Sequence, residues 1–388
     1  MNRVKDTLRK NTMLLALALV MILFQVLITQ QGKGSLFAPT NITNLISQNS
    51  YVVILATGML LCILTGGNID LSVGSVVALV GALAGTLIVN MKMNIYASII
   101  ICLAAGILIG AWQAFWIAYM RIPSFIVTLA GMLVFRGVTL IILNGLTISP
   151  FPIEYTRYFN SFLPKVIGSN TSLTIIIGIV ICAIIVFSQI YSQINRKRKG
   201  YALESAIWLG IKLIIISAVI IGACSLLSRD KGIPVILITL AIVVLSYSYY
   251  TSSTVPGRHL YAMGGNEKAA SLSGINTNKT LFFAYTNMGF LSAVAALVCV
   301  ARFNSATPSA GTNYEMDAIA ACYIGGASAY GGVGTVGGAI VGAVFMGVLN
   351  NGMSILGVDA NWQRTVKGLV LLTAVIFDVV SKKRKQSA

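Results

Sequence analysis

Charged side chains are scarce in this sequence, and their scarcity limits the class of protein. Of 388 residues only 10% are charged, whereas 57% are hydrophobic. Soluble domains usually carry about 25% charged residues. A water-soluble protein of this composition could not cover its surface with polar groups. The sequence therefore excludes an ordinary soluble domain and predicts a protein whose surface largely faces lipid.

Groups that catalyse reactions or bind metal ions are scarce as well. His259 is the only histidine and there are ten acidic residues, scattered mostly over connections between apolar runs. The chain has no GxxxxGK[ST] phosphate-binding loop. It also has neither a Ser/His/Asp set nor the paired carboxylates of a hydrolase. We therefore predict no catalytic residue, no metal site and no cofactor, and a chain that does not itself hydrolyse ATP.

The cysteines and the strong positive charge have plain explanations. All six cysteines lie within apolar runs and none forms a CxxC pair, so we expect small buried hydrophobic residues rather than disulfides or metal ligands. The net charge is +17, but no basic patch is interleaved with stacking aromatics in a soluble domain. Nucleic acid is therefore not an expected partner, and the basic residues are better explained by the positive-inside rule.

Long apolar runs dominate what is present. Several reach the roughly 20 residues that a helix needs to cross a bilayer, and they are continuous, as at 175–187, rather than alternating. We predict an all-α fold: a polytopic bundle of about 10–12 transmembrane helices in one domain over residues 1–388. The predicted segments are 13–29, 45–65, 71–89, 95–119, 125–143, 173–191, 205–227, 234–250, 281–301, 317–326, 333–349 and 366–380.

The distribution of Lys and Arg gives the predicted orientation. The basic N-terminus before 13–29 is similar to the start of a signal peptide, but no clear cleavage site follows, so we expect a retained first span with a cytoplasmic N-terminus. If the twelve segments alternate, the two densest basic clusters, 196–199 and 382–385, both lie inside. This favours an even number of crossings and places both termini in the cytoplasm. Segment 317–326 is too short to cross alone and suggests a re-entrant or broken helix.

Glycine pairs interrupt the apolar runs at two related places. In TGGNIDLSVGS, 65–75, Gly66 and Gly67 separate two spans and are followed by Asn68 and Asp70 near membrane depth. An acid at that depth is costly and marks a candidate for the transport pathway, while Asp70 could equally cap the next helix. The segment IGGASAYGGVGT, 324–335, has a similar pattern and indicates either an internal repeat or a chance likeness.

A second group of polar residues precedes segment 317–326. Arg302, Asn304, Tyr314, Glu315 and Asp317 are predicted near an outer membrane edge, where they would line the pathway or contact a partner. The acids could also simply complement the dipole of a helix that begins there. The residues that we predict for a translocation pathway are Asn68, Asp70, Arg136, Asn304, Tyr314, Glu315 and Asn351. Glycines four residues apart, such as Gly106 with Gly110, predict close helix packing.

The connection 252–280 is the longest on the predicted cytoplasmic side. Between its glycines, residues 266–274 can form two helical turns with Asn266 as N-cap. A short helix of small residues between glycine turns suits docking into a groove of a partner, whereas a solvated loop is the alternative. Its apolar members, Ala269, Ala270 and Leu272, argue against a purely solvated loop.

Four motifs together resemble the permeases of bacterial monosaccharide ABC importers, the group for ribose, xylose, galactose and arabinose. They are TGGNIDLSVGS at 65–75, IPSFIVTLAGMLVFRG at 122–137, GRHLYAMGGNEKAASLSGIN at 257–276, and the stretch YEMDAIAACYIGGASAYGGVGTVGGAIVGA from Tyr314. The resemblance implies that the loop is the coupling helix that contacts the ATPase. The positions carried over for that contact are Gly264, Gly265, Asn266, Glu267, Ala269, Ala270 and Gly274.

The resemblance also implies the partners and the location. They are cytoplasmic ATPase subunits, an extracytoplasmic sugar-binding protein and a second permease copy, expected to be identical, in the bacterial inner membrane. Residues 165–230 look like a two-span insertion relative to the shorter ribose-type members, which resembles the xylose and multiple-monosaccharide permeases. Import of nucleosides or a sugar-derived signal stays open as an alternative, as does, more distantly, an ion-coupled carrier.

Overall fold

The computed structural model describes residues 12–163, 170–201 and 205–386. The N-terminal charges and Lys165, which were used to predict orientation, lie outside these ranges. The described chain is all helical, and two isolated β-bridges join connecting segments. The helices are α1 Thr12–Gln30, α2 Pro39–Leu64, α3 Val73–Gly85, α4 Ile95–Ala118, α5 Ser124–Leu143, α6 Ile153–Asn160, α7 Asn170–Arg198, α8 Ala206–Ser228, α9 Ile236–Ser253, α10 Val255–Gly265, α11 Glu267–Leu272, α12 Thr277–Phe303, α13 Tyr314–Ile324, α14 Val336–Ile355 and α15 Ala360–Gln386. A π-helical turn, Thr86–Asn90, extends α3.

Ten of the described helices are long and apolar enough to cross a membrane. These are α1 to α5, α7 to α9, α12 and α14, with α3 counted together with its π-helical turn. The prediction of an all-α polytopic bundle is confirmed. The last helix, α15, is outside this set, and Lys367 and Asp378 interrupt its apolar run. The short segment predicted at 317–326 is the 11-residue helix α13.

Helix α12 lies at the centre of the bundle and packs against α4, α2 and α3. Glycines allow the closest of these contacts. Gly106 and Gly110 of α4 face Gly289 of α12, and a Cβ added at Gly110 would lie 2.7 Å from the carbonyl oxygen of Tyr285. The packing predicted from the four-residue glycine spacing is therefore confirmed for this pair of helices. Five of the six cysteines are buried among such helices, and Cys224 is half-buried.

Contacts at the helix ends show how α14 is oriented relative to α2. The N–H of Gly332, just before α14, donates to the carbonyl of Leu64 at the end of α2. At the other end of α14, Asn351 exchanges hydrogen bonds of 3.0 Å with Asn41 at the start of α2. Helix α14 therefore runs antiparallel to α2 along its length, and α13 is a separate segment ahead of it.

Two helices lie in stretches that we predicted as connections. Helix α6 follows α5, and α10 occupies the first half of the predicted loop 252–280. Helix α10 starts with Pro256 in its first turn, and the Thr254 hydroxyl accepts from Gly257 N–H, which is a favourable helix start. Helix α7 is also longer than predicted, because it continues to Arg198 within the basic cluster 196–199 instead of ending at residue 191.

Candidate functional site

The chain turns back into the bundle between α2 and α3. After the break at Gly66 and Gly67, which both have positive φ, the N–H of Asp70 lies 3.5 Å from the Met59 sulfur. Met59 is five residues before the end of α2, or about 8 Å along the helix axis. Helix α3 therefore starts inside the bundle rather than at the level where α2 ends.

A second re-entry brings the start of α13 to the same place. After α12 ends at Phe303, the segment 304–313 returns into the bundle and α13 begins at Tyr314. A Cβ added at Gly74, in the first turn of α3, would overlap the carbonyl oxygen of Gly311 and lie 2.5 Å from a carboxylate oxygen of Glu315. We call this meeting of the α3 and α13 N-termini the central junction. Two helix N-termini meet there, and the positive ends of their dipoles favour electron-rich ligand atoms.

Asp70 belongs to the wall of the central junction. The side chain is buried, and its Oδ1 accepts from the N–H of Ser72 at 2.8 Å and from the Ser72 hydroxyl at 2.7 Å. The buried Gln113 amide of α4 donates to the same hydroxyl at 2.7 Å. Asp70 thus accepts from the N–H of Ser72, the N-cap residue of α3, and is not itself the N-cap that the capping interpretation predicted. The polar Gln113 within an apolar run was a signal that we did not use.

The aromatic and charged side chains on the α13 side form a second group. The rings of Tyr51 and Tyr314 are stacked with centroids 3.8 Å apart. The buried Asp317 accepts from the Tyr51 hydroxyl at 2.8 Å and forms an ion pair of 2.9 Å with Lys367 of α15. Asp317 therefore joins α2, α13 and α15. Neither Tyr51 nor Lys367 was among the residues that we predicted for the pathway.

Two cavities flank Tyr314. The larger, about 310 Å³, is bordered by hydroxyl groups of the re-entrant segment and by the wall of α12. The smaller, about 150 Å³, has amide groups and a guanidinium group around it. The residues that bear hydroxyl groups at the larger cavity are Ser305, Thr307, Ser309 and Thr312. The amide and guanidinium residues at the smaller cavity are Gln48, Asn49, Arg302 and Asn350. Such groups can exchange hydrogen bonds with a polyhydroxylated ligand.

The other predicted pathway residues mostly position the backbone. Arg136 of α5 donates to the carbonyls of Pro308 and Ala310 at 2.8 and 2.6 Å, and so holds the re-entrant segment. Asn304 ends α12 in a left-handed conformation and accepts from Phe151 N–H. Both residues border the central junction through the segment that they anchor.

Asn68 and Asn351 lie away from the central junction. Asn68 accepts from the Ser124 hydroxyl at 3.0 Å, near the C-terminal end of α2. The reciprocal pair of Asn351 with Asn41 holds α14 to α2 at the opposite end of the bundle. The structure therefore brings together Asp70, Tyr314 and Glu315, but not these two amides.

The predicted docking segment has one buried and several exposed side chains. Asn266 caps α11 by accepting from Ala269 N–H at 3.0 Å, as predicted, and α11 spans a single short stretch of six residues. Ala270 is buried against the bundle, whereas Leu272 is 90% exposed. Glu267 forms an ion pair with Arg121, which also donates to the Thr277 hydroxyl at 2.9 Å. Arg121 was missed because the two partners are far apart in sequence.

Three glycine-rich breaks meet at the C-terminal end of α2. A Cβ added at Gly264, near the end of α10, would overlap the carbonyl oxygen of Leu64 and the N–H of Gly332. A Cβ at Gly331 would lie 2.5 Å from the backbone of Gly66. We call this meeting of backbones the glycine contact. It joins the docking segment directly to both Gly-rich motifs that the sequence singled out.

Comparison with known proteins adds the family. Residues 41–375 match the family described as "Branched-chain amino acid transport system / permease component". The chain is similar to the xylose transport system permease protein of Haemophilus influenzae, with 39% identity over 372 residues and 96% of each chain covered. It is 38% identical to the protein of the same description from Escherichia coli strain K12, over 96% of this chain and 92% of the other.

A ribose import permease is also similar, although less so. The Escherichia coli K12 protein is 36% identical over 361 residues, which cover 93% of this chain and 92% of the relative. No solved structure matches the chain. The similarity to all three relatives thus extends over nearly the whole length of each protein.

Proposed function

The chain belongs to the permease family described for branched-chain amino acid transport systems, and from that premise we propose that it is the membrane permease of an ATP-driven importer for monosaccharides, with a pentose such as xylose as its cargo. The observation that carries this proposal is the 39% identity to a xylose permease over 96% of both chains. A polytopic membrane protein with ten membrane-length helices in its described part suits the role.

The sugar crosses at the central junction. Two helix N-termini, the stacked Tyr51 and Tyr314, and the hydroxyl-lined cavity beside Tyr314 supply polar and aromatic groups inside the bundle. Asp70 and Glu315 shape this region, while Arg136 and Asn304 fix the re-entrant segment that borders it. An extracytoplasmic binding protein recognises the sugar and delivers it, so the permease itself binds the sugar weakly.

ATP hydrolysis takes place in a separate cytoplasmic subunit that docks on α11. The exposed Leu272 provides an apolar contact at the end of α11, and the buried Ala270 packs another face of the helix against the bundle. Through the glycine contact, a displacement of α10 and α11 reaches the breaks at Gly66 and Gly331 without an intervening side chain. The residues proposed for docking and for the hinges beside the docking helix are Gly264, Gly265, Asn266, Glu267, Ala269, Ala270 and Gly274.

Orientation, location and assembly follow from the same function. With α11 in the cytoplasm, both termini are cytoplasmic and the chain lies in the bacterial inner membrane, as the positive-inside rule also favours. The chain forms one permease domain, in which residues 165–230 are an added pair of spans. The permease consists of two identical copies of the chain.

Uptake of labelled xylose tests the proposed cargo. The full chain, expressed with its ATPase and binding protein in cells lacking xylose transport, should support uptake that unlabelled xylose suppresses more than ribose does. Uptake should stop when the ATPase carries a hydrolysis-deficient substitution. Competition by leucine but not by sugars would reject the proposal in favour of the amino acids in the family description, and competition by nucleosides alone would reject it in favour of that cargo.

Docking on α11 is tested at its exposed leucine. Leu272→Glu should reduce ATP-dependent uptake at least about tenfold, because a charge replaces an apolar contact at an interface. Leu272→Met, which keeps the apolar character, is the matched control. Both variants should insert into membranes in normal amount. Normal uptake with Leu272→Glu would overturn the docking role.

A further inference from the structure

The inner end of the α7–α8 hairpin carries a polar cavity that transport does not use. Its volume is about 760 Å³, and it is bordered by one stripe of α7 and by Lys199 and Tyr201, which follow the helix. The bordering residues are Ser188, Tyr191, Ser192, Asn195, Arg196, Lys199 and Tyr201. Most of these positions are three, four or seven residues apart, so they share one face of the helix.

A left-handed turn forms one edge of this cavity, which is open to its surroundings. Gly200 has φ +72°, and the chain folds back so that the N–H of Tyr201 donates to the Arg196 carbonyl at 3.0 Å. Tyr201 is thereby returned toward the helix face that bears Arg196 and Lys199. The stretch 188–201 contains no acidic residue, so the two cations do not meet an acidic partner within it.

The length of α7 places the cavity at the lipid headgroup level. The helix has 29 residues, or about 43 Å, against about 30 Å for the hydrocarbon core of a bilayer. Its apolar run ends near Tyr191, whose ring stacks on Phe187, and aromatic residues of this kind favour the interface. The basic turn beyond Tyr191 therefore lies among the headgroups.

The hairpin ends on the same side as the proposed docking helix. Helices α7 and α8 are antiparallel, since Gly178 faces Cys224 and the Cys182 thiol lies 3.9 Å from the Ser217 carbonyl. Helix α9 then returns toward α10 and α11. The cavity thus opens to the leaflet next to α11.

From these observations we infer that the cavity is a binding site for the headgroup of an anionic phospholipid. Arg196 and Lys199 bind the phosphate, while the Ser188, Ser192 and Asn195 side chains hydrogen-bond to the glycerol and headgroup hydroxyls. Tyr191 and Tyr201 flank the headgroup at the interface. A pair of cations with polar neighbours at the cytoplasmic end of a membrane helix is an arrangement that suits such headgroups.

Lipid retention by the purified full-length protein tests this site. The protein is exchanged into mixed micelles of phosphatidylcholine and phosphatidylglycerol, and the bound lipids are counted by native mass spectrometry. Phosphatidylglycerol should be retained in preference, and Arg196→Gln with Lys199→Gln should reduce that preference roughly 20-fold, because each basic residue near the surface contributes to attraction.

The matched control neutralises the neighbouring cations. Lys197→Gln with Arg198→Gln removes the same charge from the same turn but leaves the cavity lining intact, and should retain the preference. Equal losses in the two double variants would overturn the site in favour of unspecific attraction. Displacement of the lipid by about 10 mM inorganic phosphate would overturn it in favour of a site for the free anion.

Discussion

The α7–α8 hairpin is more apolar than the central helices α2 and α12, and it is surrounded differently. In the membrane-length part of α2, 78% of residues are buried in the protein, and in α12 72% are; in α7 the share is 17% and in α8 it is zero. Helix α7 packs mainly against α8. A high apolar content thus does not mark the helices that protein encloses, because here the more apolar pair is the one that protein covers least.

What separates the two regions is the small and polar residues. The enclosed helices contain glycine contacts, the Asp70–Ser72–Gln113 chain of hydrogen bonds and the Asp317–Lys367 ion pair. The surfaces of α7 and α8 carry exposed Ile and Val, such as Ile214 and Val219. In a membrane protein, close approach and polar satisfaction therefore mark the interior, because lipid is as apolar as any side chain.

The largest expected effect comes from the buried ion pair. Lys367→Met should lower stability by about 3–5 kcal/mol, since it leaves the Asp317 carboxylate buried without its cation. The same substitution at the exposed Lys212 of α8 should change stability by less than about 0.5 kcal/mol. Thermal unfolding in lipid nanodiscs measures both. Combining Lys367→Met with Asp317→Asn should recover part of the loss; a double variant as unstable as the single one would contradict the pairing.

Truncation of one aliphatic side chain in each region should separate them further. Leu61→Ala in α2 should cost about 2–5 kcal/mol, because Leu61 is fully buried and leaves a cavity. Ile214→Ala in α8 should cost under about 0.5 kcal/mol, because its side chain is 70% exposed. The midpoints of thermal unfolding should differ accordingly. Similar shifts for the two variants would mean that α8 is covered by protein in the membrane.

Adjacent glycines allow a narrower comparison within the docking segment. Gly264→Val should cost about 1–3 kcal/mol, because its side chain would overlap the backbone at Leu64 and Gly332. At Gly265 nothing lies within 4 Å of an added Cβ, so Gly265→Val should leave the unfolding midpoint nearly unchanged. Equal destabilisation at the two positions would show that helix propensity, rather than the glycine contact, sets the cost.

The smallest expected effect is at the surface ion pair of α11. Glu267→Gln removes its partner from Arg121, but both side chains are nearly half exposed, so stability should fall by no more than about 1 kcal/mol. Arg121→Gln should give a similar small change. A loss above about 2 kcal/mol in unfolding experiments would show that this pair behaves like the buried one at Asp317.

Much of the local structure could be predicted from residues that act on their neighbours. Asn266 caps α11, and Asp70 accepts from the N–H of Ser72 just before α3. Gly106 and Gly110 allow the close approach of α12. Each of these depends on a short sequence interval. Helix α10 could also have been found, because Thr254 and Pro256 form a recognisable helix start.

The long-range arrangement could not be predicted in the same way. Lys367 lies at the start of the predicted segment 366–380, yet its amine reaches Asp317, fifty residues earlier, inside the bundle. Arg121 and Glu267 are 146 residues apart. Nothing in the local pattern indicates such partners, since any of the ten acids could in principle pair with a given cation. The central junction needed the structure for the same reason.

The glycine contact has a mechanical consequence. Side chains can absorb a small displacement by changing rotamer, but at Gly264, Gly331 and Gly66 only backbone atoms meet. This contact therefore cannot adjust by rotamer changes. A displacement of α10 must either move the neighbouring glycine breaks as rigid bodies or separate them from α10. The absence of side chains makes the protein stiffer at this contact, so bending here requires changes in the backbone dihedral angles of the glycines.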